Sequence, residues 1–182
     1  MEIIRTEIED VVVFKPTLYQ DNRGEFAELF SNKYYECIPK QFKFVQDNYS
    51  FSSQNVLRGL HYQVANPQGK LVTCYDGSVL DVAVDLRRKS KTFKKWVSVW
   101  LHGSAKEQIW IPPGFAHGFY TNSSSATILY KNTDYYFPEY ERTLLWNDPD
   151  INIEWDKFEI YPKLSEKDSK GKLFGELELF DF

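Results

Sequence analysis

The sequence predicts an all-β protein, a closed jelly roll with a few short helices near its termini. Many short runs rich in β-branched and aromatic residues recur at roughly even spacing, separated by Gly, Pro, Asn or Ser turns. Almost no stretch carries helical periodicity. Aromatic side chains make up 17% of the 182 residues, which favours sheets, stacking pockets or an extensive interface.

Taken in order, Val11–Phe14 reads as a short strand closed by Pro16, a pattern suited to an edge or intersubunit strand. Asp21-Asn22-Arg23-Gly24 is a turn, and Glu25–Phe30 alternates as the next strand. Ser31 can cap a brief helix through Tyr34–Ile38, ended by Pro39. Phe42–Phe51 follows as a strand interrupted by the polar Gln46, Asp47 and Asn48. The central stretch runs from Val56 to Asp85, with strands at Leu71–Cys74 and Val79–Val84. Asp76-Gly77 between them has the chemistry of a tight hairpin turn. Trp96–Leu101, Gln108–Ile111, Ala116–Thr121 and Ala126–Lys131 are further strands. Beyond Ile151 the pattern weakens, with a helix expected around Ser165–Lys170 and alternation in Phe174–Phe180.

The length fits one domain with a sizeable core, and no repeat, linker or low-complexity tract divides it. A net charge of −4 points away from nucleic acid and from anionic membrane as partners. Cys37 and Cys74 form no metal-type pair and read as reduced, largely buried thiols. The N-terminus lacks a signal-peptide pattern, and no run approaches the ~20 apolar residues that span a bilayer. A soluble, cytoplasmic protein is the expectation.

His61 stands close to Arg58 and Lys70, a base and two cations on a sheet scaffold. His117 closes the segment Trp110-Ile111-Pro112-Pro113-Gly114-Phe115-Ala116-His117, similar to the second cupin motif, and Gly59-Leu60-His61-Tyr62-Gln63 is similar to the first. Metal-binding cupins carry a second His where this chain has Gln63, and no carboxylate occurs between His61 and Asp76. Two imidazoles fall short of the three or four ligands of a divalent metal, and Lys70 would repel one. No metal site is expected.

Longer segments carry a more specific resemblance. DNRGEFAELF (21–30), FVQDNYSFSSQNVLRGLHYQ (44–63), QGKLVTCYDGSVLDVAVDLRRKSKTF (68–93), WIPPGFAHGF (110–119), YKNTDYYFPEYERTLLWNDP (130–149) and LSEKD (164–168) together resemble the dTDP-4-dehydrorhamnose 3,5-epimerase family. That family is built on a metal-free cupin jelly roll. The resemblance implies inversion of C5 and C3 of a 4-keto-6-deoxy sugar on a nucleoside diphosphate, with no cofactor. Each inversion removes a proton α to the C4 ketone, passes through an enolate and returns a proton to the opposite face.

Such a reaction needs a base near neutral pKa, a cation for the enolate oxygen and an acid across the ring. His61 is the natural base, since imidazole titrates nearest pH 7. The resemblance makes Asp168 the carboxylate that orients it, although Ser165-x-x-Asp168 also reads as a helix-capping start. It also implies Lys70 beside the C4 oxygen and Tyr130 as the acid. Arg23 and Arg58 match positions that bind the diphosphate, where forked donors suit the oxygens. Glu28, Gln46 and Asn48 match nucleotide-binding positions, and Phe26 and Tyr136 are candidates to stack on the base. His117 matches a histidine of the sugar pocket, with a satisfied core histidine as the other reading; Glu141 and Lys167 match further ligand positions. Homodimers with exchanged N-terminal strands are implied as well. Competing readings are an epimerase acting at C3 only, a 3,4-ketoisomerase, a metal-dependent cupin oxygenase and a non-catalytic cupin that binds sugar nucleotides.

Overall fold

The structure is a computed structural model that describes residues 1–31, 33, 38–155 and 161–182. Its strands are β1 (Glu2–Arg5), β2 (Val12–Lys15), β3 (Tyr19–Asp21), β4 (Gly24–Phe26), β5 (Gln46–Ser53), β6 (Leu57–Gln63), β7 (Lys70–Asp76) and β8 (Ser78–Asp85). They continue with β9 (Trp96–His102), β10 (Gln108–Ile111), β11 (Phe115–Thr121), β12 (Ser125–Asn132) and β13 (Glu141–Thr143). A single α-helical turn, α1 (Glu166–Ser169), follows near the C-terminus. One sheet has the order β1-β2-β10-β7-β12-β5, the other β13-β6-β11-β8-β9, and among the described residues β3 pairs only with β4. This is the cupin-type β-sandwich expected, with antiparallel neighbours throughout the two large sheets.

The core has three layers because both sheets are covered on their outer faces. Val72, Cys74, Ile109 and Ile128 of the first sheet meet Val79, Ala83, Phe115 and Phe119 of the second between the sheets. Leu80, Val82, Val84 and Tyr120 point the other way, under Trp146, Ile151, Trp155, Phe174 and Phe180 of the C-terminal segment. Strand β8 is therefore buried on both faces, which explains its near-continuous apolar run. On the outer side of the first sheet, Phe14, Leu71 and Trp110 lie beneath Ile38, Phe42 and Phe44.

Four local expectations change. Asp76-Gly77 closes no hairpin: β7 pairs with β10 and β12, whereas β8 pairs with β9 and β11. The chain crosses there from one sheet to the other. Gly77 supplies the φ of +77° for that corner, and a Cβ on it would lie 2.0 Å from the Ser125 carbonyl oxygen. The first strand is internal rather than an edge, because β1 covers it; β1 escaped notice since all four of its residues are exposed. The strand expected at Glu25–Phe30 stops at Phe26, beyond which Phe30 turns to pack on Phe44. Phe42 and Phe44 likewise serve as lids on Trp110, so the Phe42–Phe51 strand begins only at Gln46. The helix expected over Tyr34–Ile38, and Cys37 with it, lies outside the described residues except for Ile38.

Candidate active site

At one end of the sandwich a polar cleft of roughly 370 Å³ opens between the sheets. The five-stranded sheet contributes Arg58 and His61 from β6, His117 from β11 and Glu141 from β13. From the opposite sheet come Asn48 and Ser50 of β5, Lys70 of β7, and Tyr130 and Asn132 of β12. Lys167 and Asp168 of α1 close one side, and Tyr136 the rim.

A departure from strand parity makes this set possible. Arg58 and His61 are three residues apart, which in a regular strand places them on opposite faces. The pairing of β6 with β11 shifts register here, with His61 opposite His117 but Arg58 opposite Phe119. Leu57, Leu60 and Tyr62 consequently face the outer core while Arg58 and His61 both enter the cleft. The strands pass very close at this point: a Cβ on Gly59, whose φ is +117°, would sit 2.5 Å from the Cα of Gly118.

His61 Nε2 lies 2.6 Å from Oδ1 of the buried Asp168. With Nε2–H donating to the carboxylate, Nδ1 of the neutral ring is left unprotonated and basic. Burial works against a charged Asp168, but the bonds from His61 and Ser165 outweigh it and hold the carboxyl below its usual range. Ser165 Oγ accepts from the Asp168 backbone N–H at 3.1 Å, so Asp168 lies in the capped first turn of a helix and is also hydrogen-bonded to His61.

Lys70 starts β7 facing inward, and its ammonium donates to the His61 carbonyl at 3.3 Å, bridging the two sheets. Its burial among protein atoms pushes its pKa down to about 8, a fall resisted by Glu141 and Asp81. Asp81, on β8, is fully buried and its Oδ2 meets His117 Nε2 at 2.8 Å. Burial lowers the pKa of His117 despite that anion. His117 is therefore a satisfied interior histidine and a cleft wall together. Tyr130 packs edge-on against it, ring centroids 6.3 Å apart, and the Tyr130 hydroxyl lies 3.1 Å from Ser50 Oγ. Arg58 is fixed by Nε donating to Ser52 Oγ at 2.9 Å and its guanidinium to the Phe51 carbonyl.

At the rim, Glu141 accepts from Tyr136 at 2.8 Å and from Lys167 at 2.9 Å. Gln46 stays outside the cleft wall but joins it, donating to Asn48 and accepting from the Tyr136 backbone N–H. Arg23, Phe26 and Glu28 are not brought into this cleft. They stand on or beside the exposed β3–β4 arm, where Arg23 is spent on Asp21, with its guanidinium Nη2 2.6 Å from the carboxylate. Asp81, Ser50 and Asn132 are site features that the sequence reading missed. Asp81 alone left a trace, a solitary carboxylate within the apolar run VLDVAV. Among the described residues no group of three or more His, Cys, Asp or Glu side chains is arranged to hold a metal ion.

The structure is a cupin-type sandwich with a His–carboxylate pair on one wall of an interior cleft and a buried phenol on the other, side chains of the kind that acid–base enzymes use. The family model for dTDP-4-dehydrorhamnose 3,5-epimerase matches residues 5–176. A dTDP-4-dehydrorhamnose 3,5-epimerase from Pseudomonas aeruginosa is 48% identical over 99% of both chains, and one from Salmonella typhimurium is 50% identical over 95% of each. The crystal structure of the Legionella pneumophila enzyme RmlC in complex with dTDP-4-keto-L-rhamnose superposes with a TM-score of 0.95 at 46% identity, covering 100% of this chain and 98% of that one. ChmJ, a 3'-monoepimerase from Streptomyces bikiniensis crystallised with dTDP-quinovose, shares the fold at a TM-score of 0.85 and 28% identity, covering 94% of this chain and 87% of its own. This chain belongs to the dTDP-4-dehydrorhamnose 3,5-epimerase family.

Proposed function

We infer that this enzyme inverts C3 and C5 of dTDP-4-dehydro-6-deoxy-D-glucose, giving dTDP-4-dehydro-L-rhamnose. The observation that carries the mechanism is the placement of base and acid on opposed sheets. His61 comes from one wall of the cleft and Tyr130 from the other. A sugar ring held between them loses a proton to His61 Nδ1 on one face and gains one from Tyr130 on the other, which is what inversion requires. Lys70 supplies positive charge for the enolate oxygen formed from the C4 ketone. Asp168 steadies the imidazolium that His61 becomes. Arg58, Asn48, Gln46, His117, Tyr136, Glu141 and Lys167 are proposed to hold the nucleotide and sugar.

The test is NMR of dTDP-4-keto-6-deoxy-D-glucose incubated with the protein in D2O. Deuterium is expected at both C3 and C5. Label at C3 alone would replace the double inversion by a single one. Folded protein giving no exchange at either carbon would remove the enzymatic reading.

The same reading includes a homodimer. The β3–β4 arm pairs with neither large sheet and exposes Tyr19 and Phe26, while edge strand β5 exposes Tyr49 and Phe51. Joining these surfaces between two copies would cover the aromatics and carry Arg23, Phe26 and Glu28 toward the partner's cleft. Sedimentation equilibrium is expected to return twice the chain mass; a monomer at micromolar concentration would end this part of the proposal. No helix among the described residues is long and apolar enough to cross a membrane, and we propose a cytoplasmic location, in keeping with the free, buried thiol of Cys74.

A further inference from the structure

We propose that Ser50 is the positioning residue of Tyr130, aiming its proton into the cleft and returning one to it between the two inversions. The proposal rests on the epimerase reading above and adds the step that a double inversion demands. Each inversion consumes the phenol proton of Tyr130 and loads one onto His61, so the second cannot begin until both groups are reset.

Three observations single out Ser50. Its Oγ lies 3.1 Å from the Tyr130 hydroxyl, the one hydrogen-bond partner of that hydroxyl among the described residues. Both side chains line the cleft, so the serine meets whatever solvent or substrate enters it. Their positions are set by a ladder: β5 and β12 are in register with Ser50 opposite Ile128 and Asn48 opposite Tyr130, so both residues project inward from adjacent rungs. The neighbouring inward residue of β5, Ser52, has its hydroxyl occupied by Arg58.

A hydroxyl both donates and accepts, and the reset uses both capacities. Before transfer, Ser50 O–H donates to the Tyr130 oxygen, which turns the phenol hydrogen away from Ser50 toward the sugar. Tyr130 O–H then breaks as a C–H bond forms on the enolate carbon. The resulting tyrosinate keeps the hydrogen bond from Ser50, now to an anion and therefore stronger. Burial raises the pKa of Tyr130, and the Ser50 bond and the Arg58 charge are what lower the cost of that anion. For the reset, Ser50 passes its proton to the tyrosinate and takes one from cleft water. The proton released by His61 returns to the same water, so charge and protons balance over each inversion.

The experiment compares wild type, Ser50→Ala and Ser50→Thr with dTDP-4-keto-6-deoxy-D-glucose in D2O, counting deuterium at C3 and C5 beside singly and doubly inverted product. Loss of a hydrogen bond to a charged group predicts that double inversion by Ser50→Ala falls about 10-fold to 100-fold. Proton removal by His61 is spared, so the ratio of exchange to double inversion rises and singly inverted sugar accumulates. Ser50→Thr, which keeps the hydroxyl, restores the wild-type ratio. Equal loss of exchange and inversion in Ser50→Ala, or no loss of either, overturns the proposal while the epimerase reading stands. An absence of exchange in the wild type overturns both.

Discussion

Replacing His61 by alanine is expected to lower turnover by about 10²–10⁴-fold, the usual contribution of a positioned general base. Exchange of both C3 and C5 protons should fall with it, since the same imidazole is proposed to open each inversion. Binding of dTDP, followed by calorimetry, is expected to stay close to wild type, because Gln46, Asn48 and Tyr136, the groups proposed to hold the nucleotide, are tied to one another rather than to His61. The size of the loss depends on Asp168. The carboxylate 2.6 Å away is buried, and removing the ring takes away its side-chain partner. Activity within a few-fold of wild type would take His61 out of the mechanism.

Lys70→Met is the second large effect, about 10²–10³-fold in kcat, the magnitude of removing one preorganised donor to a developing oxyanion. The pH profile sharpens this. Lysine stabilises the enolate only as the ammonium ion, and burial brings its pKa down to about 8. Below that value the cation is present; as pH rises through it the cation is lost, so kcat/KM of the free enzyme should decline on the alkaline side near pH 8. In Lys70→Met the residual activity should lack that decline. A Lys70→Met enzyme whose alkaline limb persisted unchanged would assign the limb, and the oxyanion, to another group.

Much of the fold was legible because its strands obey simple patterns. Strand β10 matches the expected Gln108–Ile111 in both bounds, β9 and β11 differ by one residue at one end, and β12 by one residue at each end. What failed were decisions that depend on which sheet a strand joins. Asp76-Gly77 has hairpin chemistry, yet the same positive φ serves equally well to turn a corner between sheets. Strand β1 was invisible because its side chains are exposed and leave no burial pattern. The candidate site divides similarly. His61 was named from its chemistry, and Lys70, Tyr130 and Asp168 from the family resemblance; all four line one cleft. Their convergence was not legible, because it depends on the irregular register between β6 and β11, which places Arg58 and His61 on the same face despite their odd spacing. Asp81 and Ser50 were hidden for a different reason. Each acts through a neighbour that the sheet ladder supplies, and nothing local in VLDVAV or NYSFS announces that neighbour.

The pair His61–Asp168 joins residues 107 positions apart in the chain. Closing so long a loop is entropically mild, since each doubling of length adds only about 0.6 kcal/mol, and it ties the cleft to the C-terminal segment. The elements that flank α1 are packed against the second sheet, Trp146 and Trp155 before it and Phe174 after it, and α1 presents the carboxylate from between them. A chain clipped ahead of Ser165 loses the carboxylate that holds His61 and, in the same stroke, Phe174, Leu177 and Phe180 from the cover of the second sheet.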